Sequence, residues 1–344
     1  MAINRTIRRE AGRLTVLAIA GLGAACASIP SYNGRITPAS FNSGDVRLSG
    51  ILVEPNTAGP YPAVVFVHGS GASTVGRASW KLHANAFLSR GFAVLVYDKR
   101  GSGRSSGSLA TADYGDLAQD VASAVGFLRA RPEIAANRIG ILGRSEGGWV
   151  APIAAKQLGD LRFVIASSGA AVTPIEQTLY AMTTELKKKG ASAPEIEAAV
   201  DLRKRIWDFY RRGGEDIARV SDAERSTLNA ELRSFARYKL EEMPAQVPLL
   251  NPGVYRAASR MRYTDPVPVL VSLNLPMLFV LGETDESIEP STTIAALERL
   301  RAVGKDVTIK VYPGVGHSLM HGFPPRYVDG YLEFVADWAA AHSK

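Results

Sequence analysis

Five consecutive apolar residues, Ala63-Val-Val-Phe-Val67, stand between Pro62 and His68-Gly69, and similar runs recur at Ala93–Tyr97 and Phe163–Ala166. Side chains of a strand alternate between the two faces of a sheet, so an uninterrupted apolar run predicts a strand buried on both. Arg138-Ile-Gly-Ile-Leu142 predicts another. Between these runs Leu117, Val121, Ala124, Val125 and Leu128 fall at helical spacing, and residues 80–90 and Trp149–Leu158 also read as helices. Ahead of them Val46–Pro55, apolar alternation around Gly50, predicts a strand pair entering the sheet behind a polar linker that starts at Ser28. Short apolar strands alternating with helices predict an α/β fold: a mostly parallel central sheet with helices on both faces.

That rhythm stops at about residue 172 and resumes near residue 265. In the interval Ile175, Leu179, Met182 and Leu186 repeat at helical spacing, as do Leu202, Ile206, Phe209 and Tyr210, with no buried-strand run. The interval reads as a helical cap inserted over the sheet. Met182, Trp207, Phe209 and Tyr210 are either site-facing residues or, as apolar helical stripes usually are, core. Pro276-Met-Leu-Phe-Val-Leu281 restarts the strands, followed by a helix near Thr292–Val303, a strand at Val307–Tyr312 and a helix near Tyr327–Ala341. His83 is expected on a surface helix.

Composition removes several classes. With 46% hydrophobic and 21% charged residues in a chain of 344, disordered and fibrous readings fail. One cysteine excludes an internal disulfide framework and a cysteine-rich zinc module.

The formal charge of +7 is partly a property of the N-terminus. Arg5, Arg8, Arg9 and Arg13 precede an apolar stretch from Leu14, too short for the ~20 residues of a membrane span. Residues 1–27 therefore read as a secretory signal. Ala25-Cys26-Ala27 fits cleavage before Ser28, while Ala24-Ala25-Cys26 resembles a bacterial lipobox that would lipidate Cys26, although Gly23 stands where leucine is usual. The expectation is an exported protein, periplasmic or lipid-anchored if bacterial, with residues 28–344 as one catalytic domain. Residues 1–25 carry four Arg and Glu10, so removing them leaves +4. Lys187-Lys188-Lys189 reads as a solvated helix end, and no nucleic-acid partner is expected.

Gly143-Arg-Ser145-Glu-Gly147 follows a predicted buried strand and opens a predicted helix, the context a G-x-S-x-G nucleophile elbow requires. A serine hydroxyl is a weak nucleophile, needing a base that is itself oriented by an acid, and the chain order expected is serine, acid, histidine. His317, in a glycine-rich loop after the last strand, is the candidate base, with His321 the runner-up. Asp285 is the candidate acid, with Glu283 and Glu286 as alternatives. His68-Gly-Ser70-Gly71 can present a backbone N–H to an oxyanion: Ser70 or else Gly71, partnered by the N–H of Glu146. His68 is then structural. His317 and His321 lack the internal Glu and third ligand of a zinc site. Gly101–Gly107 does not open a helix, as a dinucleotide loop would. No metal and no cofactor are expected.

Together His68-Gly-Ser-Gly, Tyr97-Asp-Lys-Arg-Gly-Ser-Gly-Arg-Ser, Gly-Arg-Ser145-Glu-Gly-Gly, Asp285 and Gly-His317-Ser resemble the α/β-hydrolase superfamily. More closely they resemble bacterial serine esterases with a G-x-S-E-G-G elbow, related to prolyl-oligopeptidase-like and serine-aminopeptidase-like hydrolases. The resemblance spans about Val46 to Trp338. It implies cofactor-free cleavage of carboxylic esters, with Ser145 as nucleophile, Asp285 as acid, His317 as base and Ser70 and Glu146 as oxyanion donors. Arg144 departs from the histidine common at that elbow position.

The expected partner is a small-molecule ester, and the only expected membrane link is a lipid on Cys26. Two further readings stand beside the esterase. One is an aminopeptidase or amidase, in which Glu176, Glu185 or Glu215 of the cap would bind a free amine. The other is a non-catalytic binding protein on the same scaffold.

Overall fold

A computed structural model of the chain describes residues 31–344; the export signal read over residues 1–27, Cys26 included, lies outside them. Eight strands form one sheet: Arg35–Ser43 (β1), Val46–Glu54 (β2), Tyr61–Val67 (β3), Ala93–Tyr97 (β4), Ile134–Arg144 (β5), Val164–Ser167 (β6), Met277–Gly282 (β7) and Val307–Tyr312 (β8). Their order is β1-β2-β4-β3-β5-β6-β7-β8. The pairs β1–β2 and β2–β4 are antiparallel and the remaining five are parallel. The helices are Ala78–Leu88 (α1), Tyr114–Arg129 (α2), Gly147–Leu158 (α3), Pro174–Lys188 (α4), Ala193–Glu215 (α5), Asp222–Phe235 (α6), Pro252–Arg262 (α7), Val267–Ser272 (α8), Pro290–Ala302 (α9) and Tyr331–His342 (α10).

The pleat divides the apolar runs between two cores. From β3, Ala63, Val65 and Val67 face one core, while Val64 and Phe66 face the other. The first is closed by α2, α3, α8 and α9, and the second by α1 and α10. Burying each of these valine and phenylalanine side chains contributes roughly 1.5–3 kcal/mol relative to exposure, which fixes the register of the parallel strands and hence the positions of their C-terminal ends.

Three details depart from the sequence reading. β1 lies within the stretch read as a polar linker; it is an edge strand with few buried positions, so it lacks the apolar run that marks the inner strands. A small hairpin, Met320–His321 (β9) and Arg326–Tyr327 (β10), follows the loop of His317. His83 is buried rather than on an exposed helix face. It shares the inward side of α1 with Trp80, Ala84, Phe87 and Leu88, positions spaced by three and four residues.

Both buried histidines are wired as neutral rings. His83 Nδ1–H donates to Ser79 O (2.7 Å), and its Nε2 accepts from the Tyr331 hydroxyl (2.8 Å). His68 Nε2–H donates to Tyr97 O, and its Nδ1 accepts from Trp80 Nε1–H (3.0 Å). Burial pushes each imidazole down to about 4. Each folded-state value lies below the unfolded one of ~6.5. The stability they provide is therefore full above pH 6.5 and is lost as the pH falls toward 4. At pH 4.5 each is expected to have cost roughly 2–3 kcal/mol. Denaturant unfolding at pH 7.5 and 4.5 should register that loss, and His83→Gln should flatten the pH dependence by about one histidine's share. An unchanged slope in His83→Gln would contradict the assignment.

Among the described residues, no helix is long and apolar enough to cross a membrane.

Candidate active site

Four loops converge at the C-terminal ends of parallel strands, where open α/β sheets bind ligands. They follow β3, β5, β7 and β8 and carry Ser70, Ser145, Asp285 and His317.

Ser145 occupies the turn from β5 into α3 with φ of 52°, a left-handed conformation that non-glycine residues rarely adopt. The turn is held by Ser145 N–H donating to Ser167 O (2.9 Å) and Gly148 N–H donating to Ser145 O (2.7 Å). The glycines on either side are required by contact. A Cβ on Gly143 would stand 2.1 Å from Gly147 O, and one on Gly147 would stand 2.6 Å from Val67 O. Without side chains at both, α3 can cross β5 and β3 closely enough to raise the Ser145 hydroxyl from the sheet.

The hydroxyl meets His317. Ser145 Oγ–H donates to His317 Nε2 at 2.9 Å, and His317 Nδ1–H donates to Asp285 Oδ2 at 2.9 Å. The other carboxylate oxygen of Asp285 accepts from the N–H groups of Ser287 (2.8 Å) and Ile288 (2.9 Å). The Asp285 side chain is fully buried, whereas His317 keeps 27% of its side chain exposed toward the cleft. Ser168 Oγ–H donates to His317 O (2.8 Å) and fixes the backbone beneath the ring. The remaining candidates lie apart from this line. Glu283 accepts from Gly314 N–H, Glu286 pairs with Lys188, and His321 is exposed on β9. Among the described residues there is no cluster of three metal-ligating side chains.

Ser70 and Glu146 stand beside Ser145 on the wall of a cleft of about 590 Å³, within the usual range for a small-molecule site. Among the described residues, neither backbone N–H has a hydrogen-bond acceptor. Glu146 precedes the first turn of α3, where helix N–H groups lack intrahelical partners and the helix dipole favours negative charge.

The helices between β6 and β7 form the opposite wall. Gln177, Ala181, Glu185 and Lys188 of α4 and Met261 and Arg262 of α7 face the cleft. Tyr180 Oη–H donates to Asp285 O (3.0 Å) and Gln177 Nε2–H to Ser287 O (2.7 Å), tying α4 to the loop that carries the carboxylate. Met182 and Phe209 pack in the helices' own apolar clusters, Trp207 is buried and Tyr210 stacks on Tyr255; none of the four lines the cleft. Of the three acids considered for amine binding, only Glu185 reaches it. Glu176 caps α4 through Thr173, and Glu215 pairs with Arg211 and Arg219. Arg144 does not line the cleft either; its charge acts on Tyr327 and Tyr331.

One residue at the site escaped the sequence reading. Lys99, after β4, is buried, and its Nζ donates to Glu146 Oε1 (2.5 Å) and Gly69 O (2.9 Å). The signal was Asp98-Lys99-Arg100, three charges directly after an apolar strand, all of them buried.

A family profile described as the alpha/beta hydrolase family matches residues 64–329. The chain belongs to that family. It is 25% identical over 304 residues to the esterase EstD of Thermotoga maritima, covering 86% of this chain and 63% of that protein. It is 30% identical over 309 residues to YtmA of Bacillus subtilis, described as an uncharacterized peptidase, covering 90% of this chain and 95% of that protein. Among solved structures, an esterase of Pyrococcus furiosus superposes with a TM-score of 0.56 at 18% identity over 90% of this chain and 92% of the other. That likeness establishes the same fold: the alpha/beta hydrolase sheet with helices on both faces.

Proposed function

We propose that this hydrolase cleaves carboxylic esters through an acyl-enzyme on Ser145. The observation that carries the reading is the continuous line from Ser145 Oγ through His317 to Asp285, with both hydrogen bonds at 2.9 Å. As Ser145 Oγ bonds to the acyl carbon, His317 Nε2 takes the hydroxyl proton, and Asp285 holds the Nδ1–H tautomer and stabilises the imidazolium. The carbonyl oxygen, now an oxyanion, is bound by the N–H groups of Ser70 and Glu146. Collapse of the tetrahedral intermediate breaks the bond to the leaving alcohol, which receives the proton from His317. Water, deprotonated by the same histidine, then releases the acid and restores Ser145. The helices from α4 to α7 act as the cap over this chemistry. The sequence of residues 1–27 supports export, to the periplasm or to a lipid anchor on Cys26 if the host is bacterial.

An amide-cleaving variant of the same chemistry is supported by Glu241 and Glu242, which also line the cleft. Two other cleft carboxylates are ion-paired, Glu185 with Lys189 and Glu286 with Lys188, whereas Glu242 accepts from the Thr178 hydroxyl (3.4 Å). A paired substrate panel decides between the two. The kcat/KM for a p-nitrophenyl ester is expected to exceed that for the matching aminoacyl p-nitroanilide by at least about 10²-fold, a discrimination of the size pocket contacts supply. Equal or inverted values would transfer the assignment to amides.

A further inference from the structure

Lys99 joins the two segments that bear the proposed oxyanion donors. Its ammonium donates to Gly69 O at 2.9 Å and to Glu146 Oε1 at 2.5 Å. The first contact is the informative one. Gly69 O and Ser70 N–H belong to one peptide group, planar and trans, so they point in opposite directions. Holding the carbonyl toward Lys99 therefore holds the Ser70 N–H away from it, toward the cleft. A cation on the carbonyl also draws electron density from the amide, which makes the N–H a stronger donor. The second contact fixes the residue that supplies the other N–H.

The loops themselves are bound in the same way. Lys99 N–H donates to Ser73 O (3.0 Å), and Val75 N–H donates to Asp98 Oδ1 (2.9 Å). Lys99 and Glu146 keep only 5% and 8% of their side chains exposed. A buried ion pair is weak support for stability, since well-packed apolar residues often serve as well. Its placement across the two donor-bearing loops suits a positioning task.

We propose that Lys99 is a positioning residue for the oxyanion site, orienting the Ser70 and Glu146 amides through one ammonium. The proposal rests on the Ser145 esterase reading above. Lys99 does not line the cleft that holds Ser145, and its ammonium bonds to Gly69 O and Glu146 Oε1 rather than to the nucleophile, so its signature is loss of oxyanion binding with ground-state binding retained.

The test compares wild type, Ser145→Ala, Lys99→Met and the double variant Lys99→Met/Glu146→Gln. The double variant is included because Lys99→Met alone leaves a buried carboxylate unpaired, which can prevent folding. Activity on p-nitrophenyl acetate is normalised to the serine titrated by a fluorophosphonate, and inhibition by a trifluoromethyl ketone, which forms a hemiketal oxyanion, is measured alongside. In the folded double variant kcat is expected to fall about 10²-fold, the scale of one lost oxyanion donor. The inhibition constant should weaken by a similar factor, with KM changed less than about threefold, as for an interaction made only in the transition state. A pair that serves only stability would lower the titratable fraction and leave these per-site values alone. A folded double variant with kcat and inhibition constant within about threefold of wild type, a spread below that of a lost donor, overturns the proposal. Absence of Ser145-dependent turnover in the wild type overturns the esterase reading and this proposal with it.

Discussion

Replacing His317 with alanine is expected to lower kcat for an aryl ester by about 10⁶-fold, the scale seen when the base of a serine triad is removed. Among the described residues, the ring is the only side chain hydrogen-bonded to the Ser145 hydroxyl, accepting at Nε2 and donating at Nδ1 to Asp285. Asp285→Asn should cost about 10⁴-fold. Its side-chain oxygen and nitrogen cannot both keep the N–H donors of Ser287 and Ile288 and accept from Nδ1–H, so the imidazole is held in the wrong tautomer. KM should change little in either variant, because neither residue is needed to hold the ground-state ester. His321→Ala, by contrast, should leave turnover near wild type, since that ring is exposed on β9. Steady-state kinetics on purified, folded variants checks all three, and loss in His321→Ala equal to that in His317→Ala would refute the assignment of the base.

The second large effect is structural. Gly143→Ala adds one carbon 2.1 Å from Gly147 O, closer than any real contact and against backbone that cannot step aside. The variant is expected to lose more than about 4 kcal/mol of stability, the range reached when a core is overpacked or the backbone strained, and with it the Ser145 turn. Gly126→Ala is the control. That glycine is exposed within α2, and a Cβ there meets nothing within 4 Å. The replacement should stabilise the protein by about 0.4–1 kcal/mol through the helix preference for alanine and the reduced freedom of the unfolded chain. Chemical unfolding of the two variants gives the comparison directly; similar stabilities would mean that α3 does not cross β5 as closely as described.

The inner strands were legible because burial on both faces leaves an unbroken apolar run, as in Ala63–Val67 and Ala93–Val96. The elbow was legible because its glycines are demanded by backbone contact and stand at fixed spacing around Ser145. Where burial is one-sided the signal fades. β1 buries only Ala39 and Ser43 fully, and β9 and β10 are two residues each, too short for any period to appear. His83 was misplaced because a polar residue was read alone, although Trp80, Ala84 and Phe87 already defined the buried side of α1. The choice of Asp285 over Glu283 and Glu286 depends on which carboxylate faces His317, a property of loop geometry that spacing leaves open. Lys99 was missed for a related reason: its partners, Gly69 and Glu146, follow two other strands, and only the sheet order brings them together.

The central claim is that Ser145 is an activated nucleophile. Intact mass after treatment with a fluorophosphonate, on wild type and Ser145→Ala, tests it most directly. The account predicts a single covalent adduct on the wild type, located at Ser145, and none on the variant. No adduct on folded wild type, or an adduct that persists in Ser145→Ala, would contradict it.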